Sequence, residues 1–319
     1  MLVLEHDIRV GRYRIGMVDS VTVKKSVETL CDTATIVLPA TYVNKSIDIE
    51  SKLAEGDAVA IRLGYGDMLQ TEFEGFLSAV KTDDDKVTLE CEDALYNFRK
   101  ELRDAEHKNI SVKSLLQTIA GEVDAAYTVD CDYDFVYDKF VVKDAMALDV
   151  LKKVQDETKA NIYFNGKTLH MHPQYSAIAN TQAVVYDFAV NVEKSALKWK
   201  RADERKYFVE VEGVKPDGER VTVTFGKTGG EKRCIKVYGV TDKDSLLKRA
   251  KEELATVVYS GFEGNFTGWL VPYCAPSYKI MLRDGDYPDK NGNYYVVATE
   301  TKFAASGGER VVTIGKKIG

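Results

Sequence analysis

The sequence has no apolar run approaching the roughly 18 residues that a membrane-spanning helix requires, no CxxC pair, only six prolines and only two tryptophans. The missing apolar run implies a chain that is not inserted in a membrane. The N-terminus, MLVLEHDIRVGRYRIG, places Glu5, Asp7 and Arg9 within its first ten residues, so the apolar core of a secretory signal is missing too. The five cysteines, at 31, 91, 131, 234 and 274, are odd in number and widely scattered. That profile implies reduced thiols in a chain made and folded in the cytoplasm, not a disulfide framework or a zinc site. An excess of positive charge is also lacking: 44 Lys and Arg against 50 Asp and Glu leave a net charge of -6. Backbone affinity for nucleic acid depends on Lys and Arg neutralising phosphates, so the charge balance argues against a general nucleic-acid binder.

What the chain does have is β-strand grammar. Eighteen tyrosines and few prolines suit half-buried strand positions, and 319 residues suggest about two domains. The organising stretch is residues 276–315, PSYKIMLRDGDYPDKNGNYYVVATETKFAASGGERVVTIG. It reads as three strands separated by a turn-rich loop over 284–293 and a Ser306-Gly307-Gly308 turn. Residues 53–93, LAEGDAVAIRLGYGDMLQTEFEGFLSAVKTDDDKVTLECED, repeat that grammar with little identity. Short alternating pieces surround Gly11, and two more strands cover 18–24 and 33–38, the second ended by Pro39. A short helix is expected over 93–100.

The middle of the chain changes character. Ser111 is placed to cap a helix whose apolar face is Leu115, Leu116, Ile119 and Ala120, with Gly121 at its end. Asp144 is placed to cap a second helix carrying Leu148, Leu151 and Val154. A hairpin across Asn165-Gly166 follows. Strands return over 184–238, crossing a Pro216-Asp217-Gly218 turn. A third helix over 241–259 carries Asp242 and Asp244 in its first turn, where carboxylates favour exposed amides, and Gly261 onward is expected to end it. The expected fold class is α+β, mainly β. Two similar β-barrel-like, tube-type modules flank a small α+β insert: residues 1–100, then the insert 101–178, then 179–319 with one embedded helix.

This order resembles the tail hub proteins of contractile phages: the late control protein D family, the baseplate hub proteins and the hub portion of type VI secretion VgrG proteins. The resemblance rests on several stretches: SVETLCDTATIVLP at 26–39, LAEGDAVAIRLGYG at 53–66 and FEGFLSAV at 73–80; the two helix segments of the insert with their hairpin NIYFNGKTLHMHP; and KDSLLKRAKEELA, then GNFTG, then NGNYYVVATETKFAASGGERVVTIG. The resemblance covers nearly the whole chain, and the order of the motifs carries it. It implies a non-enzymatic structural hub, made in the bacterial cytoplasm and incorporated into the tail. The hub is expected to be a homotrimer whose six modules mimic a hexameric ring, with the tail tube on one face, the spike on the other and DNA or effector passing through the bore. A bore that DNA must slide past without sticking suits a negative balance of charge. Larger relatives continue into a spike or enzymatic module; with the chain stopping at Gly319, any such activity is expected on a partner chain.

The residues that invite a sharper chemical reading each have a plainer one. His170 and His172, in LHMHP, have the spacing of two metal ligands on one strand face, but no further Cys or His lies near them, so they read as solvated strand residues. Asp83-Asp84-Asp85 lacks the spacing of a calcium loop and reads as a hairpin turn. Gly64-Tyr65-Gly66-Asp67 and Gly226-Lys227-Thr228-Gly229-Gly230 lack the context of a phosphate loop and read as turns. The basic stretch KSALKWKRADERK, with Trp199 inside it, is broken by Asp203 and Glu204 and reads as an interface edge or solvated strand. No GxSxG appears. Paired carboxylates for a peptidoglycan hydrolase, or Trp199 and Trp269 for a carbohydrate-binding module, remain the alternatives of a different class. The sequence nominates no catalytic, cofactor or metal residue.

Overall fold

The computed structural model describes residues 3–318 apart from 40, 43–44, 47–51, 84, 134–135, 177, 215–217 and 239–241. The fold is α+β and mainly β, with three α-helices among the described residues. The chain divides into two compact units, neither continuous in sequence. The first comprises residues 1–96, 178–197 and 264–319, the second 97–177 and 198–263. The linear expectation 1–100, 101–178, 179–319 follows sequence order, whereas compactness interleaves the pieces. The helix expected inside the last module, observed over Lys243–Val257, lies in the second unit together with the insert.

In the first unit the two stretches with shared grammar are both three-stranded antiparallel meanders. One is Ala58–Tyr65, Met68–Thr82 and Lys86–Glu92; the other is Lys279–Arg283, Gly292–Ala304 and Gly307–Ile318. Each has a long central strand that changes partner along its length. Register shifts accompany the change at 77/79 in the first meander and at 294/296 and 296/298 in the second. Bulges bend a strand and increase its twist, which lets one long strand serve two directions. Gly75 sits close to the first bend because a Cβ there would lie 2.2 Å from Glu92 O.

The meanders are not separate sheets. Residues 298–304 of the second pair antiparallel with Ser20–Ser26, from Ala298↔Ser26 to Ala304↔Ser20. Ser20–Ser26 pairs with Thr33–Pro39, and that strand pairs with Lys86–Glu92 of the first meander. Alternation then sends Val21, Val23, Ala34, Ile36, Leu38, Leu89 and Cys91 to one side, where they share a core with Phe303 and Leu270 from the far end of the chain. The opposite side carries Thr22, Lys24, Thr35, Glu90, Glu300 and Lys302.

The second unit holds the helices. α1, Val112–Val123, starts at Ser111, whose hydroxyl accepts the Ser114 amide at 3.1 Å. Its stop differs from expectation. Gly121 lies inside the helix with open space around it, and the chain leaves at Asp124, which turns extended while its carboxylate takes the Ala126 amide at 2.9 Å. α2, Ala147–Thr158, begins at Met146 and not at Asp144, which instead adopts a left-handed φ of 45° before the helix. α3, Lys243–Val257, packs Leu246 and Ala250 onto Val209, Val211 and Ile235 of a three-stranded sheet. Full burial of a leucine such as Leu246 contributes about 1.5–3 kcal/mol. Gly261 does not end a helix but opens the strand Gly261–Trp269.

One further sheet was not expected. Ala105–Ser111 and Val136–Val142 pair antiparallel; AEHKNIS carries no apolar alternation to announce a strand. The hairpin at 161–172 turns over Gly166 and Lys167, one residue later than expected, with Gly166 at φ 56° and Asn165↔Thr168 closing it. The pairing of Tyr207–Val214 with Arg220–Gly226 is as expected, and the turn residues 215–217 lie outside the described residues.

Candidate functional site

The junction of the two meanders encloses a buried polar knot. Arg310 has 0% exposure and Glu72, from the central strand of the first meander, 3%. The Arg310 guanidinium donates to the Glu72 carboxylate, to Leu270 O at 2.6 Å, to Pro272 O at 3.1 Å and to Thr301 Oγ1 at 3.4 Å. Thr301 donates in turn to the other Glu72 oxygen at 3.0 Å, and the Tyr273 ring lies 4.9 Å from the guanidinium carbon. Tyr186 donates to the same Pro272 carbonyl at 3.0 Å. Sequence reasoning missed this constellation, because Glu72 and Arg310 look like any of the 94 charged residues (44 basic plus 50 acidic) and lie 238 positions apart. A charge pair this deep is tolerated only when hydrogen bonds satisfy both partners.

A second polar cluster pins the connection between Ser20–Ser26 and Thr33–Pro39. Asp32 Oδ1 accepts the Ser26 amide at 3.0 Å, while the two Asp93 oxygens accept the Asp32 amide at 2.8 Å and the Leu95 amide at 2.9 Å. Burial and the adjacent Asp93 charge push Asp32 up to about 7, and burial pushes Asp93 up to about 6. These are paired carboxylates, but both Asp93 oxygens and Asp32 Oδ1 accept backbone amides, which is a structural use. Folded-state values above the usual carboxylate range mean that the protonated form stabilises the fold. That contribution is complete below about pH 4 and is lost as pH rises through 6 and 7. Asp32 retains partial exposure, so the effect is set at roughly 1 kcal/mol, not the full shift. Asp32→Asn is expected to leave stability at pH 5 nearly unchanged and to raise it by that amount at pH 8, measured from urea midpoints. Identical pH slopes in variant and parent would refute the assignment.

The other residues singled out in the sequence fall as follows. Gly66 takes φ 54° in the turn between Tyr65 and Met68, and Gly226 and Gly229, both at positive φ, connect two strands with no helix after them. Asp83 donates its amide to Lys86 O at 2.9 Å in a turn, and Asp84 lies outside the described residues. The basic stretch ends the strand Val192–Ser195, forms the strand Lys198–Lys200 and runs into a 3-10 helix over Ala202–Glu204; Trp199 is exposed and packs edge-on against Phe262 at 5.0 Å. Trp269 is also exposed. All five cysteines are free thiols. Among the described residues no helix is long and apolar enough to cross a membrane.

His170 and His172 do acquire a third partner. Thr128–Cys131 pairs in parallel with Thr168–His172, and the register sets Asp130 opposite His170. Asp130 Oδ2 lies 3.0 Å from His170 Nδ1 and 3.5 Å from His172 Nε2, and the two ring nitrogens are 3.4 Å apart. Burial lowers the His172 imidazole below its ordinary value, so its neutral form is favoured. A carboxylate 40 positions upstream of His170 could not be assigned without the strand register.

No protein-family model and no curated protein sequence matches the chain. Solved structures do. A tail protein from Neisseria meningitidis MC58 superposes with a TM-score of 0.68 at 13% identity, covering 98% of this chain and 97% of that one. The 43 kDa tail protein of prophage MuSo2 from Shewanella oneidensis gives 0.67 at 12%, covering 98% of each chain. The fold is that of phage tail proteins. It extends to the E. coli c3393 protein, a component of the type VI secretion system, with a TM-score of 0.61 at 11% identity, covering 99% of this chain and 79% of that one. The likeness covers 98% of this chain and so includes both of its compact units.

Proposed function

We propose that the chain is a structural hub of a phage tail or of a phage-derived injection machine. It trimerises into a pseudo-sixfold ring that joins the hexameric tail tube to a trimeric spike. The observation that carries this reading is the joining of two like meanders into one sheet through Ser20–Ser26 and Thr33–Pro39, within a fold shared over 98% of the chain with tail proteins. Two like modules per chain, three chains per ring, give six module positions around a threefold axis, which is what a sixfold-to-threefold adaptor requires. The polar side of the sheet, with Thr22, Lys24, Thr35, Glu90, Glu300 and Lys302 in mixed charge, is suited to line a wet passage: it offers no continuous basic track to hold a nucleic-acid backbone. The segments 1–100 and 179–319 would then be the two modules of the late control protein D pattern, with the insert 101–178 between them. Synthesis takes place in the bacterial cytoplasm, followed by incorporation into the baseplate, and the role is non-enzymatic.

The test is the solution mass by light scattering over a wide concentration range. The hub reading predicts a species at three times 35.6 kDa, present alone or on addition of the spike. A mass of 35.6 kDa under both conditions, with cleavage or retention of peptidoglycan by the purified chain, would replace it with a tail-associated hydrolase or a carbohydrate-binding module.

A further inference from the structure

Asp130, His170 and His172 form the one group of three or more metal-ligating side chains found among the described residues. Sheet geometry assembles them. His170 and His172 alternate with Leu169 and Met171, which are buried, so the two imidazoles share the opposite face. The parallel neighbour adds Asp130 to that face at the rung of His170. On the other flank Tyr163 pairs with His170 in the antiparallel ladder and stacks on its ring, centroids 5.1 Å apart and planes 14° from parallel. Two rungs away on the same face, the Thr128 and Thr168 hydroxyls are hydrogen-bonded at 2.9 Å. The imidazoles are thus held by their strands and by a stacked ring, and not left to rotate in solvent.

We infer that Asp130 Oδ2, His170 Nδ1 and His172 Nε2 form a binding site for a divalent transition-metal ion, Zn²⁺ foremost. Their mutual separations are 3.0, 3.4 and 3.5 Å. Ligands about 2.0–2.1 Å from a tetrahedral ion stand about 3.3 Å from one another, so the triangle already has the size such an ion imposes. A proton joins two of these atoms at a time, whereas a cation at the centre satisfies all three. Two imidazoles with one carboxylate suit Zn²⁺ and its first-row neighbours; the all-oxygen preference of Ca²⁺ and Mg²⁺ argues against those ions. Side-chain exposure rises from 8% at His172 through 19% at His170 to 58% at Asp130, so the fourth position faces solvent and would take water or a group from a partner. The site needs only this small sheet and is independent of the assembly proposed above.

The experiment uses the full chain, freed of metal by chelator and titrated calorimetrically with Zn²⁺, and separately with Co²⁺ while its visible absorption is followed. One equivalent of Zn²⁺ is expected, together with the intense absorption of tetrahedral Co²⁺. At a hundredfold excess over Kd the melting temperature should rise by roughly 5 °C or more. His170→Gln and His172→Gln should each weaken binding about 100-fold or more, and Asp130→Asn less, while all three melt like the parent in chelator. Absence of stoichiometric binding at micromolar Zn²⁺ overturns the assignment. Undiminished binding in both histidine variants overturns it equally, by placing the ion elsewhere.

Discussion

Arg310→Met is expected to destabilise the fused sheet by about 3–5 kcal/mol, because it leaves the Glu72 carboxylate buried without its charge partner. The substitution roughly keeps the volume of the side chain, so the loss reports the polar knot and not a cavity. Four acceptors are affected at once: Glu72, Leu270 O, Pro272 O and Thr301 Oγ1. Thr301 still donates to Glu72, which softens the loss. Glu72→Gln should be costly for the mirror reason, leaving a guanidinium with 0% exposure uncompensated. The double variant should cost less than the sum of the two single losses, since each removes the charge that the other strands. Urea unfolding of the four proteins in a double-mutant cycle measures this. A single-variant loss below about 1 kcal/mol, the range of an exposed pair, would sink the argument.

Phe98→Ala is expected to cost the second unit about 3–5 kcal/mol. Phe98 ends the short 3-10 helix Ala94–Phe98 and is fully buried. Its ring meets Tyr127 at 5.2 Å edge-on and Phe164 at 4.9 Å, so truncation opens a cavity and dissolves two aromatic pairs worth about 0.5–1.5 kcal/mol each. Tyr127 leads into the strand that carries Asp130, and Phe164 lies in the hairpin that carries the histidines. The same variant should therefore loosen the histidine cluster. Phe98→Leu, which keeps most of the volume, should lose clearly less. Thermal unfolding followed by circular dichroism separates the two substitutions, and equal midpoints for Phe98→Ala and the parent would contradict the packing role.

Much of this architecture was legible locally. The meander grammar of 53–93 and 276–315 recurs because each strand's alternation is an intrinsic period of two, readable without knowing its neighbour. Ser111 announced α1 because a hydroxyl at that position serves an amide three residues on. Where local rules misled, a competing local option had won: Gly121 is tolerated inside α1 because nothing requires a left-handed residue there, and Asp144 turns left-handed instead of capping α2. Ala105–Ser111 was invisible as a strand because its pairing with Val136–Val142 rests on backbone hydrogen bonds, which AEHKNIS supplies as well as any alternating sequence.

Local patterning was enough to specify the mainly β class, the repeated meander, the three helices and the order of elements that resembles tail hub proteins. Long-range pairing was needed to join residues 298–304 to Ser20–Ser26, to place the helix Lys243–Val257 with the insert, to bring Glu72 to Arg310, and to add Asp130 to the pair His170 and His172. The physical reason is common to all four. Alternation, caps and turns are written within a few residues, whereas register between distant strands is set by backbone groups that every residue carries, and it is that register which brings distant side chains together.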